Sequence, residues 1–393
     1  MPKTVAAKIH HSLLVWARET AGFSIDDAAK KIHVSSEKLV ACEDGTQSLT
    51  FKQLQEAANI YKRPLAVFFL PEAPLREASV QDFRLDRATT SNPISPLVNI
   101  EIRRARQHRD EAIELAREIE DELPSFTATA AMNDGPELVA QKLVELLNIS
   151  GEQSDSWKNN EAALKGRKAA VEALGVLVFE ASRIPTEQMR GVSLSFEHLP
   201  VVILNGADSA AGRSFTLMHE MAHLLIRQGG ICDLAHSDEN SPNVQIERFC
   251  NAVAAAVLMP THKLLAMLPA AEIQDWTMDQ LGLLAPSFRV SREALLVRLV
   301  SLGRATQQHY AAMRPLFRDE YLKFRQSQKT DGQGGPSPAV MAVRNLGKPF
   351  IHLVLEAYAT DRIGLSTVSD YLGVKLKHVP KIRGMVVGTG VAA

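Results

Sequence analysis

The segment Arg213 to Ile226, R-S-F-T-L-M-H-E-M-A-H-L-L-I, constrains this chain more than any other stretch. It sets His219 and His223 four residues apart, with Glu220 next to the first, on a run whose apolar residues recur at helical spacing. Residues i and i+4 share one face of a helix, so two imidazole nitrogens can take adjacent corners of a tetrahedral Zn²⁺. Glu220 then stands beside the metal as a base for an attacking water, the H-E-x-x-H arrangement that metal-dependent peptide hydrolysis needs.

A catalytic zinc takes three protein ligands and keeps one position open. A second apolar helical stretch, Gln245 to Pro260, carries Glu247 near its start, 24 residues after His223. Its Ala252, Ala254, Ala255 and Ala256 would let it approach the first helix closely, which makes Glu247 the candidate third ligand. Cys232 in the intervening loop is near enough in sequence to approach the metal. The three cysteines, Cys42, Cys232 and Cys250, nevertheless make no C-x-x-C pair and read as free thiols, with neither a disulfide framework nor a thiolate zinc site. His236 and His262 could assist an oxyanion, but structural or surface roles suit them better. Asp208 and Ser209 read as turn and capping residues before the metal helix.

The two-part pattern R-x-F-T-x-x-H-E-x-A-H-L-L and E-x-x-x-N-x-x-A-A-x-x-L-M-P resembles the ImmA/IrrE metallopeptidases, through Arg213, His219, Glu220, His223, Glu247, Asn251, Met259 and Pro260. The resemblance extends over about residues 160–300. It implies His219, His223 and Glu247 as zinc ligands, Glu220 as general base, and cleavage of a DNA-bound repressor under stress, as in some members. The runs Leu174 to Glu180, Gly191 to Phe196 and Leu199 to Asn205 would supply the strands of such a zincin-like core, the first and third as buried strands. An edge strand of this kind aligns an extended substrate by main-chain pairing, though the sequence does not say which one would do so here.

The first seventy residues predict five short helices. Apolar positions recur at Leu13-Leu14-Ala17, Ile25-Ala28-Ala29-Ile32, Leu39-Val40, Phe51-Leu54-Ala57-Ala58 and Leu65-Phe68-Phe69, and Ser24, Ser35 and Thr50 stand as N-caps before the middle three. Gly22-Phe-Ser-Ile25, Ala28-Ala-Lys-Lys-Ile32, Val34-Ser35, Leu39 and Glu43-Asp-Gly45 resemble the XRE, or Cro/C1-type, helix-turn-helix domain. His33 departs from that pattern, which has Gly where the backbone turns to positive φ. On this reading Ser35, Ser36 and Lys38 face DNA, alongside Glu37 and Ala41, with Glu43 and Asp44 closing the helix. Residues 1–75 hold nine Lys/Arg against eight Asp/Glu, nearly neutral for a DNA reader, so a protein-docking version of the bundle is the competing reading.

Pro71, Pro74, Pro93 and Pro96 mark an irregular connector, and a charged helix follows from Ile102 to Leu123 with Arg103, Arg104, Arg106 and Arg109 on a solvated face. A helix near Glu137–Leu147 opens the next domain. Leu281 to Leu302, with a Ser291 cap, predicts a packing pair of helices, and Thr330 to Pro338 a flexible linker. Val340 to Val379, with a Ser366 cap, forms a last helical module that would dock on the peptidase or bind a partner.

The fold expected is α+β and mostly helical: a helix-turn-helix domain over 1–75, a connector and charged helix over 76–130, a zincin-like peptidase domain with a small sheet over 131–305, and a helical module over 306–393. At 46% apolar and 23% charged residues the composition is globular, and a net charge of −1 gives no global drive toward nucleic acid or anionic membrane. The longest apolar stretches, such as Ala252 to Met259, are far short of a membrane span, and the N-terminal residues hold no continuous apolar signal segment, so a cytoplasmic location is expected. The function read from these features is a Zn²⁺-dependent endopeptidase linked to transcription, cleaving a repressor or other regulator on a stress or mobile-element signal. Its partners would be the protein substrate, DNA through the N-terminal domain and a second copy of the chain, with no membrane. The alternative is a non-proteolytic DNA-binding regulator, or the antitoxin of a toxin–antitoxin pair, with a toxin partner and the peptidase fold as sensor or dock.

Overall fold

A computed structural model describes residues 9–74, 81–82, 95–182, 184–227, 230–232, 242–268, 273–330 and 335–387. It falls into two compact units, Met1–Val80 with Arg87–Arg104, and Gln81–Asp86 with Ala105–Ala393.

In the first unit, α1 (His11–Ala21), α2 (Ile25–Ile32), α3 (Ser36–Glu43) and α4 (Phe51–Tyr61) surround one apolar core built on Leu13, Leu14, Ile32, Leu39, Leu54 and Phe68. The expected caps are present: the Ser24, Ser35 and Thr50 hydroxyls accept from the backbone N–H of Asp27, Lys38 and Gln53, and Gln53 returns a bond to Thr50 in a capping box. His33 takes φ 60°, the left-handed turn that its place before α3 requires. The fifth helix is a 3-10 turn, Leu65–Phe69, pinned between Pro64 and Pro71 and too short for an α-helix. Three of the periodic apolar residues, Val40, Phe51 and Phe69, are exposed. Val40 lies on the opposite side of α3 from Leu39 and Cys42, and Phe51 and Phe69 stand at element ends where the core has closed. Glu43, expected at the DNA-facing end of α3, is buried, because Arg18 grips its carboxylate with Nε at 2.7 Å and Nη2 at 2.9 Å.

The charged helix α5 (Pro96–Glu118) ends five residues before Leu123, and Glu120 follows with a left-handed φ of 59°. Two of its arginines are not on a solvated face. Arg103 donates to the Tyr61 carbonyl at 2.6 Å, while Arg109 stacks 3.8 Å over the Phe196 ring and donates to the carbonyls of His198 and Leu199.

The second unit is built around a five-stranded sheet, β1 (Gln81–Asp82), β2 (Leu177–Ala181), β3 (Gly191–Leu194), β4 (Val201–Asn205) and β5 (Gly230–Cys232), in the order β1-β5-β3-β4-β2. β2 runs parallel to β4, and β3 runs antiparallel to both β4 and β5. β2 and β4 are buried along their whole lengths, as their unbroken apolar runs require. The strands are shorter than the sequence predicts: Gly175 (φ 79°) closes a turn before β2, and Leu199 (φ 50°) forms the turn before β4 whose carbonyl Arg109 holds.

Around the sheet lie α6 (Pro136–Leu147), α7 (Gly151–Ser156), α8 (Asn160–Glu172), α9 (Ala210–Leu225), α10 (Pro242–Leu258), α11 (Thr261–Ala266), α12 (Met278–Phe288), α13 (Arg292–Ser301) and α14 (Gln307–Thr330). One apolar cluster runs from α6 and α8 through β2, β4, α9 and α10 to α12, α13 and α14. Leu281, Leu295, Leu296 and Leu299 sit inside it, so α12 and α13 are a packing pair, with Ser291 as the cap of α13.

The last helices, α15 (Pro338–Leu346), α16 (Lys348–Ala359), α17 (Leu365–Leu372) and α18 (Val379–Val386), join this unit at the sheet edge. α15 packs against β2, and Phe350 of α16 meets Phe179 of β2 edge to face at 6.2 Å. Ser366 caps nothing. The N-cap of α17 is Gly364, two residues earlier, which puts Ser366 in the first turn.

Half-buried Glu172 of α8 accepts a hydrogen bond from the Lys348 backbone at the start of α16. Burial pushes its carboxyl up to about 7, against the opposing pull of Lys168 and Lys348. An acid whose pKa rises on folding is protonated in the folded chain while still ionised in the unfolded one, so stability falls as pH climbs between the ordinary carboxylate range and neutrality. We expect the thermal midpoint followed by circular dichroism to drop from about pH 5 to about pH 8, and Glu172→Gln to flatten that drop. Parallel profiles for the two proteins would remove Glu172 as its source.

Candidate metal centre

α9 starts where the Ser209 hydroxyl accepts from the Gly212 backbone N–H at 3.0 Å. Asp208, just before it, accepts from the Ser209 N–H at 2.7 Å and from Arg190 at 3.2 Å, a turn and capping role for both residues. The helix is buried nearly all round between β3, β4, α8 and α10. Arg213 fixes its rotation, donating to Glu180 of β2 at 2.8 Å and to Glu161 of α8 at 2.9 Å. With that face turned to the sheet and α8, His219 and His223 turn to α10. Val253, Ala254, Ala255 and Ala256 of α10 are buried, and small side chains let its backbone close on α9 while Ala252 stays half-buried.

That approach brings Glu247 to the two imidazoles. His219 Nε2 lies 3.1 Å from His223 Nε2, and the two nitrogens lie 3.2 and 3.3 Å from separate Glu247 oxygens. Ligand atoms about 2.0–2.1 Å from a tetrahedral zinc stand about 3.3–3.4 Å apart, so the spacing suits one ion bound by two His and one carboxylate with a fourth position open. All three residues are buried, and they form a group able to hold a metal ion. Burial alone would raise the Glu247 carboxyl, but the hydrogen bonds and charge of His219 and His223 outweigh it and hold it at about 2, ionised as a metal ligand must be.

Glu220 is fully buried, and β3 reaches it directly. A Cβ at Gly191 would lie 2.5 Å from Glu220 Oε1 and 2.4 Å from Thr216 Cγ2, so only glycine allows the strand and this carboxylate to occupy their places together. The loop leading into Gly191 is held in turn by buried Asn205, whose amide donates to the carbonyls of Ile184 and Met189 at 3.0 and 2.8 Å. Sequence reasoning missed Gly191 and Asn205. The signal available was a glycine opening an otherwise apolar strand, which marks a close backbone approach without saying to what.

Asn251, one turn beyond Glu247 on α10, keeps a buried Oδ1 with no hydrogen-bond partner among the described residues. Burial, then Glu247 and Glu220, push the Cys250 thiol well up, and Cys250 stands outside the group formed by His219, His223 and Glu247. His262 is exposed on α11. His236 and the Cys232 side chain lie outside the described residues. Of the residues expected to face DNA, Ser35 caps α3, the Ser36 hydroxyl donates to Asp26 at 2.6 Å, and Lys38 Nζ reaches Gln53 of α4 at 3.3 Å.

Residues 171–300 match the family model of the IrrE N-terminal-like domain, Peptidase_M78. The matched region takes in β2, β3, β4, α9 and α10, and so contains Gly191, His219, Glu220, His223 and Glu247. No curated protein matches the chain.

Purified protein offered zinc should take up about one ion per chain, the stoichiometry of a three-ligand site, and His219→Ala or Glu247→Ala should abolish or greatly weaken it. Mass spectrometric metal analysis reads the result. Undiminished zinc in either variant would remove that residue from the ligand set.

Proposed function

We propose that this chain is a zinc-dependent endopeptidase that acts on a regulatory protein, with its N-terminal helix-turn-helix bundle as the module that recruits the target. One observation carries the reading: two imidazoles and a carboxylate converge within 3.3 Å of one another beside a fully buried glutamate that is not part of the trio. A pure binding scaffold has no need of that fourth residue. A bound zinc supplies Lewis acidity toward a peptide carbonyl and toward water. Glu220 accepts the proton that the attacking water gives up and delivers it to the departing amine as the peptide bond breaks. Gly191 leaves the room that the carboxylate needs for both transfers, because a Cβ there would lie 2.5 Å from Glu220 Oε1. The match to a peptidase family over the same residues supports peptide hydrolysis as the reaction. The ImmA/IrrE resemblance supports a repressor or similar regulator as the substrate and stress as the trigger.

The test compares protein N-termini in a cell extract treated with wild type or with Glu220→Gln. New N-termini should arise with wild type only, and on a substrate identified this way Glu220→Gln should lose at least about a hundredfold in rate while keeping its zinc. Gly191→Ala should also keep zinc and lose rate. Equal cleavage by Glu220→Gln would overturn the assignment of the base.

A further inference from the structure

The outward side of α3 remains uncovered by the first unit's own packing. Glu37, Val40, Ala41 and Asp44 recur there at i, i+3, i+4 and i+7, and with Ile25 and Asp26 at the start of α2 they line an open groove of about 530 Å³. Its centre is apolar, with Val40 41% exposed. Three carboxylates rim it, and neither Lys nor Arg is among its lining residues. The Glu37 carboxyl is held below its usual range by a backbone N–H and by Ser35, so it is charged at neutral pH. Lys38 of the same helix is turned toward Gln53, and the Ser36 hydroxyl is committed to Asp26.

A phosphate backbone brought to this face would meet three like charges, none of them in an ion pair among the described residues, and like charges across an interface oppose association. The same features suit an amphipathic segment that lays an apolar side chain into a groove. We propose that this groove docks a basic segment of a partner protein, seating one apolar side chain over Val40 and Ala41 while flanking Lys or Arg side chains pair with Asp26, Glu37 and Asp44. This inference deepens the proposed recruiting role of the bundle and rests on it.

The experiment uses the full chain carrying Glu220→Gln, loaded with zinc, so that a docked peptide survives. Two probes are selected against it, a displayed library of random peptides and a pool of random duplex DNA. Peptides with an apolar residue flanked by Lys or Arg should be enriched, and their affinity should fall with added salt. Glu37→Lys with Asp44→Lys should weaken them at least about tenfold, with circular dichroism and zinc content unchanged since both side chains are exposed. Absence of such enrichment overturns the inference, as does enrichment that survives the charge reversal. Retained duplex DNA that Lys38→Ala releases overturns it too, by returning α3 to a DNA reader. Because binding is read without hydrolysis, failure here leaves the peptidase reading standing, and failure of that reading leaves this result intact.

Discussion

The second unit depends on one buried carboxylate. Glu180 of β2 accepts from Lys168 of α8 and Arg213 of α9, each at 2.8 Å, with Arg344 of α15 at 3.5 Å. Burial opposes its ionisation, but the surrounding cations more than offset that and hold its carboxyl below the ordinary range. A pair of this kind adds little net stability over an apolar replacement, yet removing one partner costs about 3–5 kcal/mol because the other charge is left buried and alone. Its value is therefore in orientation. An apolar contact at Arg213 would let α9 slide or rotate, whereas two directed hydrogen bonds fix which face of α9 meets α10, and with it where His219 and His223 point. Arg344 is more exposed than Lys168 or Arg213 and stands farther from the carboxylate, so it is the weakest of the three ion pairs.

The candidate metal centre shows the opposite economy, with polar groups pushed together where the fold alone gains nothing from it. Three potential ligands and Glu220 occupy positions on α9 and α10 that leucine or alanine would fill with less strain on the core. The surroundings compensate with small side chains: alanines on α10 and Gly191 on β3 let three elements approach until side chains of different helices touch. The closeness that defines the site is thus set by what is missing from the neighbouring side chains as much as by the ligands themselves.

Local chemistry made part of this legible in the sequence. The pairing of His219 with His223 follows from helical periodicity, the caps at Ser24, Ser35 and Thr50 from hydroxyls placed before helical runs, and the left-handed turn at His33 from the position it occupies before α3. Glu247 needed more, since its approach depends on how α10 packs, and the alanines supplied that hint. The parts that were not legible are those in which a residue's role is set by something distant in sequence. Arg109 looks like a solvated charge until the Leu199 turn and the Phe196 ring are placed beside it, Gly191 is an ordinary strand glycine until Glu220 arrives, and β1 and β5 are too short to carry a pattern. Val40 has the opposite fault, an apolar residue at a core-like spacing that faces outward because Leu39 and Cys42 have already filled the core.

An acidic groove with a small apolar centre is a weak receptor by construction. Exposed ion pairs contribute well under about 1 kcal/mol each and are screened by salt, so rim carboxylates raise the rate of encounter more than the lifetime of a complex. For the recruiting module we propose this is an advantage, because a docking surface that held its partner for long would also hold the cleaved product and limit turnover to its release. A DNA reader has the contrary requirement, long residence secured by many phosphate contacts, and α3 offers one lysine that is already engaged with α4. The charge pattern of α3 therefore fits transient capture of a protein better than stable occupancy of a duplex.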